Sequence, residues 1–105
     1  MTYDVYSIVI SWENEDQDTE EMVKCSYTSR DEARKFIDAM YKSVLENRHI
    51  NEVKRLGDEW FRYCSDDFRG YHVCYDVEIQ EQTIEIKDKF DDSDIEYIPG
   101  DRSMR

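Results

Sequence analysis

Three side chains in the second half of the chain carry the atoms that bind metals. Cys64, His72 and Cys74 fall within eleven residues, and His72 and Cys74 share one face if their segment is a strand. Cysteine and histidine are preferred zinc ligands, and Cys25 or His49 could supply a fourth. None of the spacings is the C-x2-C or H-x3-H typical of structural zinc sites. The sequence therefore favours structural cysteines that pack as small apolar residues, and it predicts neither a metal site nor a cofactor.

The same cysteines are the candidate nucleophiles. A thiol nucleophile needs a histidine and an orienting group beside it, and Cys64 or Cys74 could pair with His49 or His72. No glycine-rich loop or helix start adjoins either thiol to activate it. With three glycines in the chain, a phosphate-binding loop is not available either. The sequence predicts no catalytic residues and indicates a non-enzymatic protein.

Carboxylates outnumber every other reactive group. The 105 residues include 26 Asp and Glu against 14 Lys and Arg, a net charge of −12. Against that background, no carboxylate pair stands out as the acid and base of a glycosidase. Within the acidic segment 13–21 (ENEDQDTEE), a stretch counted from Asp16 starts like an EF-hand calcium loop, with Asp16, Asp18 and Glu20 at alternate ligand positions. Glu21 replaces the required glycine, and the twelfth position lacks its glutamate, so we expect no calcium site.

The acidic residues are unevenly distributed along the chain. Residues 1–28 carry a net charge of −6, residues 29–57 carry +2, and residues 58–105 carry −8. This balance disfavours contact with nucleic-acid phosphates or anionic lipids. The uneven charge creates an electrostatic field that steers a positively charged partner towards the acidic parts of the molecule. We therefore expect a basic protein partner, and no direct binding to nucleic acid or to a membrane.

The elements that would position these residues begin with a β-hairpin. Residues 2–13 are rich in aromatic and β-branched types and alternate with polar ones, which is typical of a strand. Residues 22–28 predict a second strand, and the acidic segment 13–21 predicts a solvated loop between the two. Ser29 and Glu32 have the capping-box spacing of a helix start. The apolar face of that helix is predicted to contain Ala33, Phe36, Ile37, Met40, Tyr41, Val44 and Leu45.

The second half of the chain predicts further strands. Residues 50–57 suggest either a short helical piece or a strand, whereas residues 59–65 and 71–79 read as strands on either side of a turn. Residues 83–87 alternate one position out of step with the preceding strand. The sequence therefore predicts a turn or a bulge within residues 80–82.

The predicted fold is α+β. An antiparallel sheet of four to five strands carries one long helix packed on one face, in the order β-β-α-(α)-β-β-β. Residues 1–90 form this single domain, and residues 91–105 form an acidic, loosely held C-terminal tail. Eight Tyr, four Phe and two Trp argue against disorder. Because one helix covers one side of a sheet, the other side must be wet or must meet a partner.

The chain resembles the small acidic inhibitors encoded by phages and mobile elements, of the anti-CRISPR and DNA-mimic type. The likeness is carried by residues 13–21 (ENEDQDTEE), 75–79 (YDVEI) and 91–97 (DDSDIEY), and it is one of length, charge and tyrosine content rather than of a shared motif. The resemblance implies a stoichiometric inhibitor that occupies the nucleic-acid or PAM-reading surface of a nuclease such as Cas9. Arginines on such a surface attract carboxylates.

The predicted partner-binding residues are acids and tyrosines from these three segments. Side chains at i and i+2 of a strand lie about 6.6 Å apart, comparable to successive phosphates of one nucleic-acid strand. Trp12 is a further candidate anchor. The alternative is a generic soluble regulatory or self-associating domain, monomer or homodimer, whose acids confer solubility alone. The predicted contacts are Glu13, Glu15, Asp16, Asp18, Glu20, Glu21, Tyr75, Asp76, Glu78, Glu81, Asp91, Asp92, Asp94, Glu96 and Tyr97.

The cellular location is also an expectation at this point. The first residues lack the basic and apolar regions of a signal peptide, and no stretch approaches the roughly 20 apolar residues of a membrane span. We expect a cytoplasmic protein, in the host cytoplasm if it is phage-encoded. In that compartment all three cysteines would be reduced thiols.

Overall fold

The fold is a single antiparallel sheet with one α-helix across it. The computed structural model describes residues 1–14, 16–66 and 69–95, without the side chains of residues 94 and 95. Within these residues the strand order across the sheet is β2-β1-β5-β4-β3, and every neighbouring pair is antiparallel. The predicted α+β class is confirmed. The elements are β1 (Thr2–Glu13), β2 (Thr19–Tyr27), α1 (Arg30–Leu45), β3 (Ile50–Gly57), β4 (Trp60–Asp66), β5 (His72–Glu85) and a 3₁₀ turn (Asp92–Ile95).

The first strand and the fifth form the middle of the sheet. Their register runs from the pair Thr2 and Glu85 to the pair Trp12 and Tyr75. Since successive side chains of a strand point to opposite faces, Ile8 of β1 projects on the side that α1 covers, where it is fully buried. Burial of such apolar side chains against the helix supplies the main favourable free energy of folding. The core on this side comprises Ile8, Ile10, Ala33, Ile37, Val44, Phe61 and Val77.

The helix begins where the sequence predicts. The hydroxyl of Ser29 accepts a hydrogen bond from the backbone N–H of Glu32 over 3.4 Å, which satisfies one of the free donors of the first turn. The Glu32 carboxylate accepts a hydrogen bond from Lys35 (2.8 Å). The predicted apolar face is correct for Ile37, which is fully buried, but it ends early. Leu45 is 56% exposed because the last helical residue extends past the core.

The segment after the helix is a strand rather than a second helical piece. Glu46 ends α1, and the side chain of Asn47 accepts a hydrogen bond from the N–H of His49 over 2.9 Å. This turn directs residues 50–57 into pairing with β4. On the helix side of β3, Arg55 donates a hydrogen bond to Asp38 of α1 (2.8 Å) and lies 5.0 Å from the centre of the Tyr41 ring. The strand is thus held by tertiary contacts that a short sequence pattern does not contain.

The predicted turn or bulge within residues 80–82 is wrong. Strand β5 continues from His72 to Glu85, and its pairing with β1 has no register shift. The shifted alternation has another cause: Ile84 pairs with Tyr3 on the side of the sheet away from α1, and both are partly exposed. Irregularities occur instead between Ile8 and Val9 in the β1–β2 ladder, and also in the β3–β4 ladder.

The side of the sheet away from α1, called here the uncovered face, carries polar side chains in its middle rows and the partly exposed Tyr3 and Ile84 at one end. Ser7 of β1 lies between Ser26 of β2 and Gln80 of β5, and the hydroxyls of Ser7 and Ser26 are 2.7 Å apart. In the next pair of rows, Val9 pairs with Glu78, and Ser11 pairs with Asp76. Polar groups of this kind are compatible with water.

Candidate functional site

The turn of the β1–β2 hairpin is built by one asparagine. The side-chain oxygen of Asn14 accepts hydrogen bonds from the backbone N–H groups of Asp16 and Asp18, each over 3.0 Å, and the N–H of Asn14 donates to the carbonyl of Asp18 (2.8 Å). Such bonds replace the backbone pairing that a turn loses. The predicted solvated loop is therefore shorter than expected, because β1 extends to Glu13 and β2 begins at Thr19.

Five exposed carboxylates surround this turn and are called here the acidic hairpin. The one hydrogen bond they receive from another side chain in the described residues is donated by Asn14 to Glu20 (3.2 Å). Among those residues, no Lys or Arg lies within ion-pair distance of any of the five. Solvent and salt screen the repulsion between these exposed carboxylates. The acidic hairpin consists of Glu13, Asp16, Asp18, Glu20 and Glu21.

The predicted acids of β5 have different surroundings. Asp76 lies on the uncovered face and accepts hydrogen bonds from Arg62 (2.8 Å) and from the indole of Trp60 (3.2 Å). The bond to Asp76 raises the pKa of Arg62. Glu78, on the same face, accepts from Gln80 (3.0 Å). Asp76 thus already has a cation beside it. Ser11 of β1 lies between Asp76 and Glu21 of the acidic hairpin.

A partly exposed ion cluster at the start of α1 was not predicted from the sequence. Arg30 and Arg34 of α1 donate to opposite oxygens of Glu59, over 2.6 and 2.8 Å, and Arg30 also reaches Glu81 (2.7 Å). Partial burial opposes ionisation of Glu59, but the hydrogen bonds from the two arginines outweigh it and lower the pKa of the carboxyl. Glu81, a predicted partner residue, is therefore engaged within the molecule. The positive charge of the segment 29–57 is the signal that hints at this cluster.

The predicted aromatic anchors belong to a row on the helix side of the sheet. The rings of Trp12 and Tyr75 are 5.8 Å apart, and Tyr75 stacks on Tyr63 with ring centres 5.0 Å apart. The row continues through Phe61 to Tyr41. Burial raises the pKa of Tyr63. Trp12 and Tyr75 are half-buried, so each combines packing with a partly accessible edge.

The predicted tail contacts lie far from the acidic hairpin. Ile86 forms a backbone hydrogen bond with Met1 (2.9 Å), which places the segment that follows at the opposite end of β1, about 35 Å away at 3.3 Å per residue. The N–H of Ser93 donates to Asp91 and lowers the pKa of its carboxyl. Asp92 is exposed, and Asp94 lies in the 3₁₀ turn. Glu15, Glu96 and Tyr97 lie outside the described residues.

Two of the three cysteines form a disulfide, so the expectation of reduced thiols throughout is wrong. Cys64 and Cys74 pair directly across β4 and β5 with Cα atoms 4.0 Å apart, and their sulfurs are bonded, while Cys25 is free. The signal was present in the sequence, since the two cysteines are equally distant from residue 69 in the predicted turn. Antiparallel strands joined by that turn place such positions opposite each other.

A cleft adjoins the disulfide. It has a volume of about 590 Å³ and is lined by polar side chains of the acidic hairpin and of β4 and β5, among them Asn14, Arg62 and His72. Next to the disulfide, a ring nitrogen of His72 lies 3.1 Å from the carboxylate of Asp66. The donor atoms of Cys64, His72 and Cys74 all lie within 4.8 Å of one another. This cluster and the acidic hairpin are the two places where the described residues concentrate reactive groups.

Comparison with protein-family models, curated proteins and solved structures finds no match to this chain. Within the described residues, no helix combines the length and the apolar character needed to cross a bilayer.

Proposed function

We propose that this protein is a non-enzymatic acidic binding protein that docks its acidic hairpin on a cation-rich surface of a nucleic-acid-handling protein, such as a CRISPR nuclease, and thereby inhibits it. The observation that carries the proposal is that, within the described residues, no Lys or Arg lies within ion-pair distance of the five hairpin carboxylates. Elsewhere in the same residues, acids such as Glu59 and Asp76 have an arginine within 3 Å. The hairpin keeps its charge available for another molecule.

The strand that carries two of these five acids, β2, also offers backbone and apolar contacts. Strand β2 is at the edge of the described sheet, with β1 as its neighbour there. Met22 is 44% exposed and Val23 is 56% exposed. Met22 pairs with Ile10 on the helix side and Val23 with Val9 on the uncovered face, so each face of β2 offers one exposed apolar side chain, and the strand edge can pair with a strand of the partner.

The choice of a nucleic-acid-handling partner rests on charge and spacing. Glu13 and Glu21 lie diagonally on the same face of two adjacent strands, where such side chains are spaced by about 7–8 Å, and Glu20 projects on the opposite face. A surface built to hold phosphates presents Lys and Arg at a similar spacing, so carboxylates arranged in this way can compete for it. The resemblance to acidic inhibitors of phages and mobile elements supports the same choice.

A second candidate function is favoured by the position of the same acids. Charged side chains on an edge strand prevent one sheet from pairing with another. Glu20 and Glu21 could therefore serve solubility alone, in a generic regulatory domain. An apolar self-association through the uncovered face is not favoured, because Ser7, Gln80 and Asp76 line it.

Affinity capture from a bacterial lysate distinguishes the two candidates. The wild type and a variant with the acidic hairpin neutralised are immobilised, and captured proteins are eluted first with duplex DNA and then with rising salt. The proposal expects the wild type to retain nucleic-acid-binding proteins that duplex DNA releases, because both compete for the same cations. The variant carries Glu13→Gln, Asp16→Asn, Asp18→Asn, Glu20→Gln and Glu21→Gln.

The matched control removes the same number of exposed carboxylates elsewhere. If the control and the wild type retain the same proteins and the hairpin variant loses them, the hairpin makes the contact. Equal retention by the hairpin variant, or retention that neither DNA nor salt reverses, contradicts the proposal and leaves solubility as the role of these acids. The control carries Glu46→Gln, Glu52→Gln, Asp58→Asn, Glu85→Gln and Asp88→Asn.

A further inference from the structure

Four side chains of β4 and β5 form a compact group on the uncovered face. In the antiparallel register Cys64 pairs with Cys74, and Asp66 pairs with His72. All four point to the side opposite Phe61, which is buried under α1. We infer that reduction of the Cys64–Cys74 disulfide converts this group into a binding site for a thiophilic divalent metal ion, of which zinc is the representative.

The donor atoms are of the right type and are already gathered. One sulfur from each cysteine and a ring nitrogen of His72 lie within 4.8 Å of one another. Two thiolates and an imidazole are a soft donor set that selects zinc over magnesium or calcium. Adjacent strands hold Cys64 and Cys74 whether or not the sulfurs are bonded. The backbone therefore gathers the three ligands before any metal arrives, which reduces the entropy lost on binding.

The fourth member of the group sets the orientation of the imidazole. The carboxylate of Asp66 lies 3.1 Å from Nδ1 of His72, so a proton held at Nδ1 leaves Nε2 as the metal-binding atom. This is the carboxylate–histidine arrangement that commonly supports zinc ligands. Asp66 acts here as a positioning residue.

The site is open to reductant and to metal from one side. Cys64 is buried, whereas Cys74 is partly accessible and borders the cleft of about 590 Å³ together with His72. That cleft leaves room for a water molecule as the fourth ligand of a tetrahedral ion. Glu13, Asp76 and Arg62 also line it. Since Asp76 is paired with Arg62, the carboxylate of Glu13 leaves this lining negative, which favours entry of a cation.

Conversion of the disulfide state into the metal-bound state takes two steps, in which electrons and protons balance. A dithiol reductant gives two electrons and two protons to the Cys64–Cys74 bond and becomes a disulfide itself, which leaves two thiols on this chain. A divalent ion then binds as the two thiols lose their protons to solvent. In the oxidised state neither sulfur carries the thiolate that the ion requires. The disulfide and the metal ion are therefore alternative cross-links between β4 and β5, and the redox state selects between them.

Cobalt titration of the full-length protein tests the inference. The protein is reduced with a phosphine under nitrogen, freed of reductant and titrated with Co²⁺, which replaces zinc and absorbs visible light when tetrahedral. We expect thiolate-to-cobalt charge-transfer absorption that saturates at a single ion per chain and disappears when Zn²⁺ is added. The oxidised protein should give none of this absorption, and equal binding by the two redox states would overturn the inference.

Three variants identify the ligands. Cys25→Ser, the control, should bind Co²⁺ as the wild type does. Cys64→Ser removes one of the two thiolate ligands and should not give the charge-transfer absorption of the wild type. His72→Gln, at a position half exposed to solvent, should weaken Zn²⁺ binding by at least the roughly 10-fold that loss of an outer-shell partner produces. Unchanged affinity of the His72 variant contradicts the site. Circular dichroism is recorded in parallel, and reduced wild-type protein that unfolds and is not refolded by Zn²⁺ contradicts it equally.

Discussion

Arg30 and Glu59 connect the first turn of the helix to the hairpin that joins β3 and β4. Nη1 of Arg30 donates to Oε1 of Glu59 over 2.6 Å, and Nε of Arg34 donates to the other carboxylate oxygen over 2.8 Å. Arg30 and Glu59 are 29 positions apart in the chain. This contact pairs two positive charges of the helix with one carboxylate.

Replacing Glu59 with glutamine should destabilise the fold modestly. The variant keeps the volume of the side chain but loses its charge, so Arg30 and Arg34 lose their ionic partner. Because both arginines are more than one-third exposed, solvent screens much of the interaction, and we expect a loss of about 1 kcal/mol in the free energy of unfolding. Urea denaturation measures it. Glu52→Gln, which is exposed and forms no ion pair within the described residues, serves as the control and should change the midpoint little.

The effect of that substitution should depend on pH. Since the arginines lower the pKa of Glu59 in the folded protein, the folded state holds this carboxylate ionised at pH values where the unfolded chain protonates it. The stabilisation is complete above the ordinary glutamate pKa of about 4.3, and it is lost as the pH falls through the lower folded value. Urea titrations at about pH 7 and about pH 3 should show the wild type and Glu59→Gln converging at the lower pH. A difference that stays constant would contradict this account.

The register of the helix on the sheet can be tested with one pair of alanine substitutions. Ile37 is fully buried against the sheet, whereas Leu45 is 56% exposed. Ile37→Ala should cost about 2–5 kcal/mol through lost burial and the cavity it leaves, and Leu45→Ala about 0.5 kcal/mol or less. Thermal unfolding of the two variants measures both. Similar losses would mean that α1 lies on the sheet in a different rotation.

Reduction of the disulfide should destabilise the metal-free protein. Cys64 and Cys74 are ten residues apart, and closing a loop of that size removes unfolded-state entropy equivalent to about 2–3 kcal/mol. The measurement is the urea midpoint with and without reductant in the presence of a chelator. The Cys64→Ser/Cys74→Ser protein is the control, because reductant should leave its midpoint unchanged. An unchanged wild-type midpoint would show that the bridge adds no stability.

Local signals in the sequence predicted the elements that local interactions determine. The start of α1 depends on Ser29 and the N–H of Glu32, three residues away, and the hairpin strands depend on a two-residue period. Residues 50–57 were ambiguous because eight residues are too few to separate the two periods, and pairing with β4 decides the outcome. The change of alternation before Ile84 was misread as a bulge, because sequence alone does not show where α1 stops covering the sheet.

The candidate sites were predictable to different degrees. The exposed acids around Asn14 could be identified from composition alone. The disulfide could have been found by combining the predicted turn with the positions of Cys64 and Cys74. The cluster of Arg30 and Glu59 could not, since no local rule brings together residues so distant in the chain. Which carboxylates have intramolecular partners is a property of the tertiary structure.

The pairing of β1 with β5 determines when the domain can be completed during synthesis. Of the strands of the sheet, β1 is synthesised first and its inner neighbour β5 last, so residues 14–71 must be translated between them. Until then the backbone groups along one side of β1 have no strand to bond, and Ile8 and Ile10 lack the cover of Val77. Nascent chains should therefore remain protease-sensitive and dependent on chaperones until residue 85 has left the exit tunnel.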